Sequence, residues 1–177
     1  MSKQSRLLVV DASILRSAGV KEGYSAVCMS LLNAILTICH RAVITQDILE
    51  EWNKHQSILA KKWRASMVGR RKLIKLDHVD RNFFDDQVTQ NVSAGDVKKK
   101  RELLKDIHLL AAAYQADKLL LTADVKLHSL CEQYAIQQNI EWLTVSQNNH
   151  LKENGALINR LRDLTTTRPN PPLPGMR

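Results

Sequence analysis

Apolar runs of three or four residues recur along this chain, and each is followed by a longer stretch with helical periodicity. That alternation predicts an α/β protein, a three-layer sandwich around a central, mostly parallel sheet. The clearest unit is residues 105–127, KDIHLLAAAYQADKLLLTADVKL, which reads as helix, tight turn and strand with an acid near each end. Ile107, Leu109, Leu110 and the alanines at 111–113 favour a helix beginning near Asp106. Residues 115–118 form a polar break. Leu119, Leu120 and Leu121 are too few for a helix and suit a buried parallel strand. Thr122 closes that strand and Asp124 follows two residues later. In open α/β sheets, ligands sit beyond the carboxyl ends of the strands, so Asp124 stands where chemistry is done.

The other elements follow in order. Leu7, Leu8, Val9 and Val10 form a strand running into Asp11, Ala12 and Ser13. Residues 14–20 start a helix or a loop, with Gly19 and Gly23 as breaks. Residues 24–40 carry a broad apolar stripe and predict a helix. Ala42, Val43 and Ile44 form the next strand, and a helix starts at Asp47 and continues through Met67. Trp52 and Trp63 then lie on one helical face as core anchors, and Gly69 ends the helix. Residues 76–97 are less legible: Phe83, Phe84 and Val88 anchor one helix that breaks at Ser93, Ala94 and Gly95. After Asp124 a helix covers 125–135, and Ile140, Trp142, Leu143 and Val145 predict a final parallel strand. A polar turn through Asn149 leads to a short last helix over 156–164.

A length of 177 residues with 44% hydrophobic side chains suits one domain over 1–165. The tail 166–177 holds four prolines and little to bury, which predicts a flexible appendage. No apolar run is long enough to span a bilayer, and MSKQSR leads directly into a strand, so no membrane association and a cytoplasmic location are expected. Cys28, Cys39 and Cys131 are far apart and read as buried helix thiols rather than a disulfide or zinc set. The net charge of +8 suggests a polyanionic partner. Lys61, Lys62, Arg64, Arg70, Arg71 and Lys72 form one basic segment, and Lys98, Lys99, Lys100 and Arg101 a second just before Asp106. Each is a phosphate-binding surface or a solvated face.

Strand-then-helix recurs four times, with acids at Asp11, at Glu50 or Glu51, at Asp106 and at Asp124. One such acid is explained by helix capping. Four meeting at one sheet edge would repel unless protonated or bound to metal, and oxygen ligands suit Mg²⁺ or Mn²⁺. Other α/β chemistries lack their parts. No Gly-rich nucleotide loop or G-x-S-x-G elbow is present, and a phosphoaspartyl enzyme would carry Asp where Ser13 stands.

LLVVDASIL, ITQDILEEW and KDIHLLAAAYQADKLLLTAD, with the final strand, resemble the PIN domain, a family of metal-dependent ribonucleases. The resemblance covers residues 7–145. It implies an endoribonuclease in which Asp11, Glu51, Asp106 and Asp124 form the acidic site. Asp11, Asp106 and Asp124 would hold Mg²⁺ or Mn²⁺, with Ser13, Thr122 and Glu50 in supporting positions. Both basic segments would then hold RNA. Many relatives are toxins of toxin–antitoxin pairs, so the resemblance also allows an antitoxin-like partner, a homodimer, or a non-catalytic RNA-binding protein on the same fold. The extra length over 61–97 departs from the compact toxins.

Overall fold

A computed structural model describes residues 4–19, 21, 23–136, 139–147 and 150–165, with the side chains of 150–153 left out. The sheet has five strands, all parallel: β1 (Leu7–Val10), β2 (Arg41–Ile44), β3 (Leu73–Lys75), β4 (Leu119–Thr122) and β5 (Glu141–Thr144). Their spatial order is β3-β2-β1-β4-β5. The chain builds outward from β1 in one direction and then returns to continue from β4 in the other. The order therefore reverses between β1 and β4, which opens a crevice at their carboxyl ends.

Eight helices among the described residues complete a three-layer α/β/α sandwich: α1 (Ala12–Ser17), α2 (Tyr24–Thr37), α3 (Gln46–His55), α4 (Ile58–Gly69), α5 (Asn82–Asn91), α6 (Val97–Gln115), α7 (Val125–Gln133) and α8 (His150–Asp163). Helix α6 packs on β1, β2 and β4 and is flanked by α5 and α7, while α2 packs with α1, α4 and α8. The central strands are buried on both faces, as their continuous apolar runs require. Among the described residues no helix is long and apolar enough to cross a membrane.

Several expectations need correction. The helix expected from Asp47 through Met67 is two helices. Gln56 caps the first, and the Ser57 Oγ accepts the Ala60 N–H at 3.1 Å to start the second. Trp52 and Trp63 still pack together as core anchors, but from different helices, edge to face with centroids 5.8 Å apart. Strand β3 lies in the basic stretch, where the apolar pattern predicts none. Three residues with an exposed lysine give too weak a signal to separate an edge strand from a solvated segment. Asp106 does not begin a helix. It lies midway along α6, which starts at Val97 and takes in the basic run 98–101. Helix α8 is longer than the segment expected, and Cys39 lies beyond the end of α2 rather than within it. Asn149 and the tail 166–177 lie outside the described residues.

The amino edge of the sheet is tied by groups that look unremarkable in sequence. Buried His40 accepts the Arg6 N–H at Nδ1 (3.1 Å), and its Nε2 donates to the Leu161 carbonyl (2.5 Å). Burial holds its pKa below the ordinary imidazole value. Asp117, in the polar break, accepts the Leu7 N–H at 2.7 Å and pairs with Arg6. These bonds hold β1, β2, β4 and α8 in register from the end opposite the crevice.

Candidate active site

The crevice between β1 and β4 is organised by Asp11. Its Oδ2 accepts from the Ser13 hydroxyl at 2.5 Å and from the Thr122 hydroxyl at 2.6 Å, and its Oδ1 accepts the Ser13 N–H at 3.2 Å. Each hydroxyl has one proton, and both protons go to Asp11. Their lone pairs then accept from the loop after β4: Ala123 N–H to Ser13 (3.0 Å) and Asp124 N–H to Thr122 (2.9 Å). The network therefore runs in one direction, from two backbone amides through two hydroxyls to one carboxylate. It joins the ends of β1 and β4 and leaves Asp11 7% exposed. Ser13 and Thr122 thus both hold the Asp11 carboxylate in place.

Three more acids line the same pocket of about 140 Å³: Glu51, Asp106 and Asp124. Asp124 caps α7, its Oδ1 accepting the Leu127 N–H at 2.9 Å. Glu51 is placed by its neighbour Trp52, whose buried indole donates to the Val10 carbonyl at 2.9 Å and pins α3 over the end of β1. Glu51 faces inward, with Oε2 3.4 Å from His108 Nε2, and His108 Nδ1 lies 3.0 Å from the Lys105 carbonyl. The imidazole and nearby cations hold Glu51 below the usual carboxylate range despite burial. Burial alone would lower the His108 pKa, but Glu51 and the Lys105 carbonyl raise it. Glu50 is exposed and accepts from Gln46 at 2.9 Å, so it does not support the site.

Asp106 differs from the other three. Its side chain is 17% exposed, and among the described residues no hydrogen-bond donor reaches it; Lys105 Nζ stands 3.7 Å away. Burial pushes its pKa up to about 6. Lys105 opposes that rise, while Asp11, Glu51 and Asp124 add to it. The negative potential extends to buried Cys131, whose thiol is pushed to about 12 by burial and then by Asp106 and Asp124. A carboxylate in mid-helix facing three others has no capping role to explain it.

Among the described residues, no three acids, histidines or cysteines stand together as a ready-made metal cage. The donor chemistry nevertheless fits a hard divalent cation. Four carboxylates line the pocket, Asp106 meets no hydrogen-bond donor among the described residues, and Mg²⁺ keeps several waters and needs few protein ligands.

Neither the protein-family models nor the curated proteins compared with this chain match it.

The basic residues divide by position. Helix α4 begins beside the crevice, where the Ser57 N–H donates to Leu15, and it carries exposed Lys61 and Lys62 in its first turns. Arg64 donates to Asn53 at 2.7 Å. Arg70, Arg71 and Lys72 lie at the far end of the helix, at the amino edge of the sheet. Lys72 donates to the carbonyls of Ile35 (2.7 Å), Leu36 (2.9 Å) and Ile38 and so caps the end of α2. It is not free to take a phosphate. In the second segment Lys99 is held by Asp96 and Tyr134, whereas Lys98 and Arg101 are exposed.

Several residues at the pocket lie outside the set that the sequence predicts. Arg16 and His55 line it with Lys105, and Lys126 stands beside it. Lys105 offered the clearest signal. It follows Lys98 and Arg101 at i, i+3, i+7, so the three exposed cations share one stripe of α6. A larger cleft of about 650 Å³ opens beyond the ends of β2 and β3 and shares His108 with the site. Its lining includes Asp47, Asp77, Asp80 and Asp85 against Arg81, the wrong balance for a polyanion.

Proposed function

We propose that this chain is a PIN-like, metal-dependent endoribonuclease that hydrolyses RNA phosphodiester bonds at the pocket of Asp11, Glu51, Asp106 and Asp124. The observation that carries the reading is the convergence of these carboxylates, from four separate segments, at the point where the strand order reverses. Asp106, half-buried and reached by no hydrogen-bond donor among the described residues, has the environment of a carboxylate in need of a cation. Asp11, Asp106 and Asp124 would hold Mg²⁺ or Mn²⁺. When bound, such an ion activates water and stabilises the leaving oxygen of a phosphodiester. Ser13 and Thr122 fix the Asp11 carboxylate by donating to it. Glu51, held by Trp52 and His108, is placed to orient the attacking water and receive its proton. Lys105 and Arg16 draw the anionic backbone to an otherwise acidic pocket.

The test is incubation of purified protein with single-stranded and structured RNA in Mg²⁺, in Mn²⁺ and in chelator. Cleavage is expected with metal and should vanish in chelator. Cleavage undiminished in chelator would overturn the metal mechanism. A second reading, a non-catalytic RNA-binding protein on the same fold, is favoured by the spacing of the acids, which forms no ready-made cage among the described residues. Tight RNA binding with no cleavage in either metal selects it.

A further inference from the structure

A second pocket, of about 210 Å³, opens between α6 and α7 and shares Lys105, Asp106 and Asp124 with the acidic pocket. The two are lobes of one trench that passes the acids. The second lobe has a different character. Leu127 and Leu130 contribute apolar side chains, and Glu102 and Lys126 face each other across it at 2.6 Å. A phosphate would find Lys105 and Lys126 there but also three carboxylates, Glu102, Asp106 and Asp124. A flat, largely apolar group with polar edges would find Leu127 and Leu130, with carboxylate acceptors and lysine donors at its rim. We propose that this lobe is a nucleobase subsite, holding the base of a nucleotide next to the phosphate bound at the acids. This rests on the ribonuclease reading and deepens it by requiring an unpaired strand.

Three observations support the assignment. The lobe is smaller than the roughly 300 Å³ at which drug-sized pockets begin, which suits a single base and not a larger ligand. The Lys126–Glu102 pair is solvent-accessible, 64% and 30% exposed, so it opens at little cost to admit a ligand. The cationic stripe of Lys98, Arg101 and Lys105 ends at the junction of the two lobes. Along a helix these residues are spaced by about 4.5 and 6 Å, a track for successive phosphates. A backbone on that track brings one phosphate to the acids and leaves the adjoining base beside Leu127 and Leu130. A base still paired in a duplex could not turn into the lobe.

The experiment compares two chains of equal charge, a uridine octamer and an octamer of abasic ribose phosphates, each binding to the full chain in chelator so that nothing is cut. The uridine octamer is expected to bind about tenfold or more tightly, because packing a base against the protein adds to the phosphate contacts. Leu130→Phe, which fills the lobe, should bring the ratio towards one while the abasic chain binds as before. A second measurement needs no variant: a 4-thiouridine octamer crosslinked to wild-type protein should label residues 125–131. Equal binding of the two octamers, or crosslinks absent from that segment, would overturn the subsite while leaving the ribonuclease reading intact. If neither octamer binds in chelator or in Mn²⁺, the RNA reading itself falls, and the subsite with it.

Discussion

Single residues decide whether the crevice is a set of helix caps or a site. Asp106 titrates at about 6 in the folded chain against an ordinary 3.8, because burial and three other acids disfavour its charge. An acid with a raised pKa stabilises the fold while protonated, and that contribution is lost as pH rises from about 4 through 6. At pH 7 the charge therefore costs up to about 3 kcal/mol in the metal-free protein. Asp106→Asn removes it. The metal-free variant should match or exceed wild type in thermal stability at pH 7, with the gap closing towards pH 4, while cleavage is lost. Excess Mn²⁺ should stabilise wild type by about 2.7 kcal/mol at a hundred times Kd, and the variant much less. Equal metal-induced shifts with full activity would remove Asp106 from the site. Lys72 makes the opposite case, a charge in a basic run used for structure. Lys72→Met should lower the denaturation midpoint by about 1–2 kcal/mol of stability, since three helix-end carbonyls lose their donor, and leave RNA affinity unchanged. A weakened affinity at unchanged stability would reverse that assignment.

Elements carry these residues into place. Helix α3 crosses the carboxyl edge of the sheet because the Trp52 indole reaches the last carbonyl of β1, and Glu51 precedes that anchor. Trp52→Phe leaves the Val10 carbonyl buried without its donor, which costs about 1–3 kcal/mol. The same change loosens the register of α3, so turnover should fall further than RNA affinity. Steady-state kinetics beside a urea titration separate the two effects. Normal turnover in a destabilised variant would show that Glu51 is held by other partners, His108 among them. The boundary between α3 and α4 has a local signal. Ser57 is a favourable N-cap with an amide three residues on, but the apolar spacing from Ile48 to Met67 masks it.

At the scale of the whole molecule, charge is distributed unevenly around one acidic pocket. The net +8 does not distinguish the two ends of the sheet, but the fold does. Lys98, Arg101 and Lys105 share a stripe that ends at the acids, whereas Arg70 and Arg71 lie at the amino edge. Replacing the three stripe residues by Ala should lower the log–log salt slope of single-stranded RNA binding by up to about 2, at roughly 0.7 for each phosphate no longer neutralised. Replacing Arg70 and Arg71 should change it far less. Anisotropy titrations across salt concentrations measure both, and the reverse ranking would move the RNA to the opposite edge.

Alternation of short apolar runs with helical stretches is enough to predict an α/β sandwich with a mostly parallel sheet, because burial on both faces leaves strands no polar positions. The positions of Asp11 and Asp124 after their strands are equally plain, since a strand end is a local event. Asp106 stands out in the sequence for a reason the fold corrects: it resembles a helix start, yet α6 begins at Val97 and carries it mid-helix to the same pocket. Glu51 over Glu50, the capping role of Lys72, the His108 partner and the Arg16 and Lys105 rim all rest on which helix face meets which strand end. Periodicity along one helix does not contain that information. It depends on the strand order β3-β2-β1-β4-β5, which brings segments more than a hundred residues apart to one crevice.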